Sequence, residues 1–353
     1  MVNGYIPAEQ WAQVIEVLGR PPVYKRIPVP IPARDEALVN VLYSGVCHTD
    51  LHAMRDDWPL EHKMPLVGGH EGVGVVVAQG NLTDAVKIGD RVGIKWLNGT
   101  CLRCSFCLSG NEPLCEEALL SGYSVDGTFQ QYCTAKASHL TLLPEDCDPA
   151  AIAPILCAGV TVYKGLKESG ARPGQYVAII GAAGGLGSMA IQFARAMGLQ
   201  VIAVDRGGDK EEICKSLGAK IYVNYETSED LGKDVRQAIA DGCGAHAALV
   251  IASDADVFQK IPQYIRPHGV AVCLGLPAAS QITIPVFDVV VKMLTIKGSY
   301  VGSRVDAQEA VQFFHDGLIK VPTIVVPLSN LADVYDLMSE GKIVGRYIID
   351  PAN

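Results

Sequence analysis

The sequence has 353 residues, of which 49% are hydrophobic and 19% charged, and it contains 36 glycines. This length is sufficient for two domains with separate cores, and the composition is typical of soluble α/β proteins with many tight turns. A net charge of −9 argues against nucleic acid or an anionic membrane surface as the main partner. No apolar run reaches the roughly 18 residues that span a bilayer, and the first residues lack the features of a signal or transit peptide. We therefore expect a cytoplasmic protein.

Eleven cysteines are present, a number that could indicate a disulfide framework in a small secreted domain. In a long chain without a secretion signal, the thiols are expected to stay reduced. Clustered cysteines in such a chain are typical of metal sites.

The first part of the chain predicts short β-strands. From Leu38 to about Lys95, valine-rich runs alternate with glycine-rich turns, which indicates strands in a barrel-like arrangement. Between Asn98 and Cys115 this pattern stops, and the segment has too few apolar residues to form a core of its own. A lobe of this kind needs a metal or another covalent constraint.

After Pro173 the pattern changes to strands that alternate with helices. "YVAIIG" predicts a buried strand, "GGLGSMAIQFARAMG" a helix and "QVIAVD" the next strand, and the alternation continues through "VAVCLGL". Such an alternation indicates parallel βαβ units and a doubly wound Rossmann sheet.

The end of the chain predicts two amphipathic helices flanked by short strands, near Asp306–Asp316 and Asn330–Gly341. We expect this tail to pack with the N-terminal domain. The predicted domains are therefore 1–158 with 300–353, and 159–299.

Four cysteines lie in the pattern C-x2-C-x2-C-x7-C. Four thiolates complete a tetrahedral coordination shell and leave no position for a substrate, so the pattern predicts a structural zinc. Unrelated free thiols and an iron–sulfur cluster are the alternatives. The four residues are Cys101, Cys104, Cys107 and Cys115.

A second candidate metal set is dispersed along the chain. Cys47, His70 and Cys157 are each weak indications, since buried cysteines and single histidines are usually core residues. Together they form the Cys2His set that holds catalytic zinc and leaves the fourth position open.

A glycine-rich turn at Gly181–Gly187 lies between a predicted strand and a predicted helix. Such a turn lets a pyrophosphate approach the backbone at the helix N-terminus, although Ala182 departs from the strict G-x-G-x-x-G pattern. Asp205 ends the next strand, where a carboxylate binds ribose hydroxyls and repels a 2′-phosphate. NAD is therefore expected over NADP, although the adjacent Arg206 weakens this preference.

The segments "GVCHTDLHA", "PLVGGHEGVGVV", "GIKWLNGTC", "LCAGVTVYKGLK" and "GRYIID" make the chain similar to the zinc-containing medium-chain alcohol dehydrogenases, in particular to the tetrameric fungal (yeast-type) branch. The resemblance runs from about Trp11 to the C-terminus. It implies an α/β protein with a GroES-like β-barrel catalytic domain and a Rossmann NAD-binding domain. It also implies two zinc ions per chain, NAD(H), a homotetramer, and an alcohol or aldehyde substrate.

The resemblance further assigns roles near the catalytic zinc. Cys47, His70 and Cys157 are the implied ligands, Glu71 is an occasional ligand, and Asp50 holds the imidazole of His70. A relay of Thr49 and His52 is implied to carry the alcohol proton through the cofactor ribose to solvent, with Thr49 at the alcohol oxygen; an ordinary surface histidine is the alternative for His52.

Cofactor contacts follow from the glycine-rich turn and from the resemblance. His48 and Arg346 are implied at the pyrophosphate, Thr161 near the nicotinamide, and Lys210 at the ribose. The remaining predicted contacts are Gly181, Gly184, Gly185, Leu186, Gly187, Leu274, Leu276, Ser299 and Val301.

Trp58, Trp96 and Leu276 resemble the walls of a narrow pocket over the zinc, which favours small primary alcohols such as ethanol. Larger aromatic or allylic alcohols, and secondary alcohols or polyols, are alternative substrates. A non-catalytic NAD-binding protein with the same fold is a more distant alternative.

Overall fold

The computed structural model describes residues 6–252, 254–277, 280–343 and 345–353. Residues 1–5, which begin the predicted first domain, lie outside this part. The chain divides into two compact units. One comprises the described chain up to Cys157, Gly302–His315 and Val321–Asn353, and the other comprises Ala158–Val301 and Asp316–Lys320.

The segment Asp316–Lys320, which the sequence analysis places with the first domain, packs with the second unit. The side chain of Gln192 accounts for this placement, because it bonds both main-chain polar groups of Lys320. The amide Nε2 donates to the carbonyl of Lys320 at 3.0 Å, and Oε1 accepts from its N–H at 2.8 Å.

The helices and strands follow one another in chain order. Up to Cys157 they are β1 (Glu9–Ile15), β2 (Val23–Pro28), β3 (Glu36–Gly45), α1 (His48–Arg55), β4 (Leu66–Val67), β5 (Glu71–Gln79), β6 (Arg91–Ile94), β7 (Leu97–Gly99), α2 (Ser105–Leu108), β8 (Leu119–Leu120), β9 (Tyr132–Lys136), β10 (Thr141–Leu142) and α3 (Pro149–Ile152), with 3₁₀ turns at Glu112–Leu114, Ala137–His139 and Ala153–Leu156.

The second unit then contains α4 (Ala158–Ser169), β11 (Tyr176–Ile180), α5 (Gly185–Ala196), β12 (Gln200–Asp205), α6 (Lys210–Leu217), β13 (Ile221–Asn224), α7 (Leu231–Gln237), β14 (Ala245–Val250), α8 (Asp256–Gln259), α9 (Ile261–Tyr264), β15 (Ile265–Cys273), α10 (Val286–Val291) and β16 (Thr295–Gly298). The tail contains α11 (Arg304–His315), β17 (Thr323–Pro327), a 3₁₀ turn at Leu328–Asn330, α12 (Leu331–Ser339) and β18 (Arg346–Asp350).

The first unit consists mainly of antiparallel sheets. One has the order β10-β6-β5-β3-β18-β17, with β9 paired to β3, another has the order β2-β1-β4, and β7 pairs with β8. The tail strand β18 pairs with β3, so the end of the chain completes this unit. Fully buried valines such as Val39, Val76 and Val92 fill the core, as the valine-rich alternation predicts.

The second unit is a parallel sheet with the order β13-β12-β11-β14-β15-β16 and helices between its strands. The order reverses direction between β11 and β14, which creates the crevice at the carboxyl ends of the strands where α/β proteins bind ligands. The central strands are buried, with Ile180, Val204 and Val250 at 1% exposure or less.

The segment "DVFQKIPQYIRPHG" lies where the predicted alternation of strands and helices requires a helix, and it forms two short ones, α8 and α9, before β15 begins at Ile265. Pro262 explains the break, because it lies in the first turn of α9 and lacks the N–H group that a continuous helix needs.

Among the described residues, no single helix is both long and apolar enough to cross a membrane. The bent pair Pro149–Leu156 and Ala158–Ser169 has sufficient length and apolar content when the two are taken together. Most of the residues in both segments are buried.

The glycine-rich turn after β11 depends on one close backbone contact. A Cβ atom at Gly187 would lie 2.1 Å from the carbonyl oxygen of Gly181, whereas one at Gly184 would come no closer than 3.5 Å. Gly187 therefore lets the first turn of α5 pack against the end of β11.

Gly187→Ala is expected to destabilise the protein by about 1–3 kcal/mol, since the added methyl group forces backbone atoms apart. Gly184→Ala is the matched control and should cost less than about 1 kcal/mol, mainly through its poorer N-cap. Thermal unfolding without added nucleotide measures both, and equal melting temperatures for the two variants would contradict the packing argument.

Candidate active site

The four-cysteine lobe brings its sulfur atoms together. Sγ of Cys101 lies 3.9 Å from Sγ of Cys107 and 3.6 Å from Sγ of Cys115. Thiolates that bind one tetrahedral zinc at about 2.3 Å lie about 3.8 Å apart, so these separations fit a single ion. With Cys104, the four ligand atoms lie within 4.8 Å of one another.

Backbone N–H groups of this lobe donate hydrogen bonds to sulfur atoms of its cysteines. The N–H of Cys104 donates to Sγ of Cys101 at 3.3 Å, and the N–H of Cys107 donates to Sγ of Cys104 at 3.5 Å. Backbone N–H groups of Arg103 and Cys104 lower the pKa of the Cys101 thiol to about 7, whereas burial raises the pKa of the Cys115 thiol to about 11. The lobe is also joined to α11, because Glu112 accepts from Nε of Arg304 at 2.6 Å.

The dispersed set also converges. Cys47 lies at the N-cap of α1, His70 precedes β5, and Cys157 follows a 3₁₀ turn. Sγ of Cys157 lies 3.2 Å from Nε2 of His70 and 4.0 Å from Sγ of Cys47. All three residues are buried. Cys157, and after it His70, hold the pKa of the Cys47 thiol well below its ordinary value, whereas Cys47 and burial raise the pKa of the Cys157 thiol well above it. The short separations of the three ligand atoms, rather than these opposite shifts, fit a bound cation.

Asp50 connects two of these candidate ligands. Its Oδ2 accepts from the N–H of Cys47 at 2.8 Å, and its Oδ1 lies 2.8 Å from Nδ1 of His70. The carboxylate is almost completely buried. With its Nδ1–H donated to this carboxylate, His70 faces Sγ of Cys157 through Nε2 and would offer the Nε2 lone pair to a bound metal ion.

Glu71 lies in the same group, with its carboxylate against Arg346. Nη2 of Arg346 donates to both carboxylate oxygens, at 2.6 Å to Oε2. Burial raises the pKa of Glu71 to about 7, although Arg346 opposes this shift. Gly45 leaves space for the carboxylate, since a Cβ atom there would lie 1.9 Å from Oε2. Arg346, which the resemblance implies at the pyrophosphate, is therefore hydrogen-bonded to Glu71 in this structure.

The predicted relay residues lie on α1. His48 and Thr49 occupy its first turn and His52 its last, where Nδ1 of His52 lies 2.7 Å from Oδ2 of Asp57. The sequence analysis did not identify Asp57.

The two predicted pocket tryptophans belong to one aromatic cluster beside the candidate ligands. The rings of Trp58 and Trp96 meet edge to face with centroids 6.4 Å apart, and Trp96 lies 5.2 Å from the ring of His70. Tyr123, which sequence reasoning missed, contacts both tryptophans at 6.2 and 5.6 Å. Leu276, predicted as another wall, belongs to the second unit and is 60% exposed.

In the second unit, the predicted nucleotide residues lie at the carboxyl ends of the parallel strands. Gly181 follows β11, Asp205 ends β12, Leu274 follows β15 and Ser299 follows β16. Oγ of Ser299 is buried and has no hydrogen-bond partner among the described residues. This edge therefore offers the crevice and the polar groups that a dinucleotide requires.

The glycine-rich turn fits a pyrophosphate. Gly184 is the N-cap of α5, and it is exposed together with Gly185. The first N–H groups of a helix have no partner within it, so those of Gly185, Leu186 and Gly187 are oriented to bind an anion.

The carboxylate of Asp205 accepts hydrogen bonds from two groups of the protein. Its Oδ2 accepts from the N–H of Ala183 at 2.7 Å, and its Oδ1 accepts from Nζ of Lys210 at 3.1 Å. Arg206, which could bind a 2′-phosphate, instead donates from Nε to the hydroxyl of Tyr225 at 2.7 Å.

The other predicted contacts have simple placements. Thr161 is buried on α4, and Val301 has a left-handed backbone with φ of 43°.

A further group that the sequence analysis did not identify contains Asp146, Cys147 and His315. The side chain of Asp146 is 79% exposed, and we assign this group no function.

Comparisons with known proteins give a consistent result. Residues 33–145 match the model of the alcohol dehydrogenase GroES-like domain, and residues 185–316 match that of the zinc-binding dehydrogenases. The chain is 61% identical over 345 residues to alcohol dehydrogenase 1 of Neurospora crassa, covering 98% of each chain. It is 55% identical to alcohol dehydrogenase 1 of Emericella nidulans, covering 98% of this chain and 99% of that one.

Among solved structures, acetophenone reductase from Geotrichum candidum in complex with NAD superposes with a TM-score of 0.86 at 27% identity, covering 98% of both chains. The chain therefore belongs to the zinc-containing medium-chain alcohol dehydrogenases, and to their fungal type.

Proposed function

We propose that this protein is a zinc- and NAD-dependent alcohol dehydrogenase that reversibly oxidises small primary alcohols to aldehydes. The observation that carries the proposal is the convergence of Cys47, His70 and Cys157 within 4.8 Å. Three protein ligands of this type hold a zinc ion and leave the fourth position for a substrate.

Glu71 does not close this set, because both of its carboxylate oxygens accept hydrogen bonds from Arg346. The four-cysteine lobe, in contrast, completes the coordination of its ion with protein sulfur alone. The dispersed set therefore holds the zinc ion that takes part in the chemistry, and the four-cysteine set holds the zinc ion that stabilises the lobe.

Bound zinc supplies Lewis-acid activation of an alcohol oxygen, and bound NAD supplies the hydride acceptor. The chain positions both groups and removes the proton. We assign Thr49 the contact with the alcohol hydroxyl and Nε2 of His52 the acceptance of the released proton. His52 is suited to transfer a proton to water because its side chain is 29% exposed.

NAD, rather than NADP, follows from the groups at the end of β12. The carboxylate of Asp205 lies where the adenosine ribose binds in this fold and repels a 2′-phosphate. Arg206 does not offset this repulsion, because its guanidinium is bound to Tyr225. The NAD complex of the structural neighbour acetophenone reductase is consistent with this choice.

Trp58 and Trp96 are proposed to restrict the substrate. Trp96 is 4% exposed and packs against His70, while Trp58 lies between Trp96 and His52. Large rings beside the open coordination position leave space for a short alkyl chain and disfavour aromatic or secondary alcohols.

The test is NADH formation across short primary, secondary, allylic and aromatic alcohols, with NADP in a parallel series. Short primary alcohols with NAD should react fastest. Trp58→Ala should shift the relative rates toward larger alcohols, because it removes one wall of the pocket, while Trp11→Ala, on an exposed tryptophan stacked on Tyr24, should not. Turnover of no alcohol would contradict the function, and equal selectivity in both variants would contradict the pocket.

The four-cysteine lobe predicts a separate effect on stability. Cys104→Ser should lose about half of the bound zinc and lower the melting temperature by more than about 5 °C, since the lobe has no core of its own. Cys243→Ser, which replaces an exposed thiol of the second unit, is the control. Zinc analysis and calorimetry measure both, and an unchanged melting temperature in Cys104→Ser would contradict the structural role.

We further propose that the protein is a cytoplasmic homotetramer. An exposed apolar surface on the second unit supports self-association: the side chains of α10 are 62–76% exposed at Val286, Phe287, Val290 and Val291. The neighbouring β16 ends the parallel sheet and pairs only with β15 among the described residues. An exposed apolar patch beside an open strand edge is typical of an interface between copies of one chain.

Phe287→Asp should reduce the mass in solution from a tetramer to smaller species, because a charge at the centre of this patch opposes its burial. Ile31→Asp, at an apolar side chain that is 90% exposed elsewhere, is the control. Light scattering after size-exclusion chromatography measures the mass. An unchanged mass for Phe287→Asp would show that the patch is not an interface.

A further inference from the structure

The imidazole of His52 is held on two sides by residues that follow α1. Its Nδ1 lies 2.7 Å from Oδ2 of Asp57, and its ring centroid lies 5.1 Å from that of Trp58, tilted by 33°. The side chains of His52 and Asp57 are 29% and 30% exposed, so water still reaches the pair.

The end of α1 explains why Asp57 lies beside His52. Asp56 adopts the left-handed conformation, with φ of 61° and ψ of 40°, and this reverses the chain direction. The N–H of Asp57 then donates to the carbonyl of His52 at 3.2 Å, and the N–H of Asp56 donates to that of Ala53 at 3.4 Å. Such a helix end satisfies the last carbonyl groups, and here it joins Asp57 to His52 through both main chain and side chain.

We propose that Asp57 is a positioning residue that orients His52 for proton transfer, an inference that rests on the relay role given to His52 above. The Nδ1–H of His52 donates to the carboxylate, so the lone pair of the ring is held on Nε2. During alcohol oxidation Nε2 accepts the released proton and the ring becomes a cation. The carboxylate of Asp57 stabilises that cation, and Nε2 then releases the proton to water.

Two other titratable groups lie near this ring. His48 lies one turn earlier on α1 and interacts with His52 electrostatically. The adjacent Asp56 has its Oδ1 3.1 Å from Nε2 of His62. Asp57 is therefore the carboxylate that acts on His52, and Asp56 provides a matched control.

The experiment compares Asp57→Asn with Asp56→Asn, each in wild-type and His52→Gln backgrounds. An asparagine at position 57 keeps the size of the side chain but removes its charge. We expect a fall in kcat of about tenfold for Asp57→Asn, with little change in KM. Asp56→Asn should leave both unchanged.

In the His52→Gln background, Asp57→Asn should have no further effect, because Asp57 acts through His52. A readout independent of turnover is the modification of His52 by diethylpyrocarbonate in the enzyme without NAD, located by mass spectrometry. Because the Asp57 carboxylate holds the Nδ1 side of the ring, Asp57→Asn should change the rate at which His52 is modified at a fixed pH, whereas Asp56→Asn should not.

Three results separate the proposals. If Asp57→Asn behaves like Asp56→Asn in both kinetics and modification, the positioning role is wrong. Equal losses from Asp57→Asn with and without His52 would also overturn it, since the effect would then be general. If His52→Gln itself leaves kcat and its pH profile unchanged, the relay assigned to His52 fails instead.

Discussion

The first unit depends on the buried carboxylate of Asp50. One oxygen accepts from the backbone at Cys47 and the other faces the imidazole of His70, so a single side chain fixes two candidate ligands from different elements. The interaction also begins α1, because Asp50 completes the capping box at its N-terminus. A buried carboxylate without these two partners would be costly, and the helix, the start of β5 and the ligand set therefore form together.

Helix α1 also carries other residues of the candidate site. Cys47, a candidate ligand, is the N-cap of this helix, the first turn carries Thr49, and the last turn carries His52, one face of which meets Trp58. Glu71 follows His70 directly, and its charge is balanced by Arg346 from the tail, 275 residues away. This buried ion pair links the end of the chain to the candidate site. Both partners are needed, because removal of either one would leave an unpaired charge in the core.

Features with a local pattern could be predicted from the sequence. The spacing of Cys101, Cys104, Cys107 and Cys115, the strand–turn–helix at Gly181–Gly187 and the alternation of strands and helices each lie within short segments, and the structure contains them. The dispersed set is different, because Cys157 is 110 residues from Cys47 and 87 from His70. Residue type grouped these three as a Cys2His set, and the resemblance to a known family assigned them to one catalytic zinc.

Other features have no sequence signal because they depend on particular side-chain contacts. The pairing of Asp57 with His52 requires the left-handed conformation of Asp56, and Asp is not the residue that usually marks such a helix end. The segment Asp316–Lys320 packs with the second unit because Gln192 makes two hydrogen bonds to Lys320. The ion pair of Arg346 with Glu71 joins residues 275 positions apart, and no local pattern indicates it.

The central claim is that an open Cys2His zinc site performs the chemistry, and anomalous diffraction from crystals at the zinc edge tests it most directly. We expect a peak about 2.3 Å from Sγ of Cys47 and Cys157 and about 2.0–2.1 Å from Nε2 of His70, with Glu71 still bound to Arg346 and the fourth position free for substrate. A map with zinc only in the four-cysteine lobe, or with Glu71 as a permanent fourth ligand at the second ion, would contradict it.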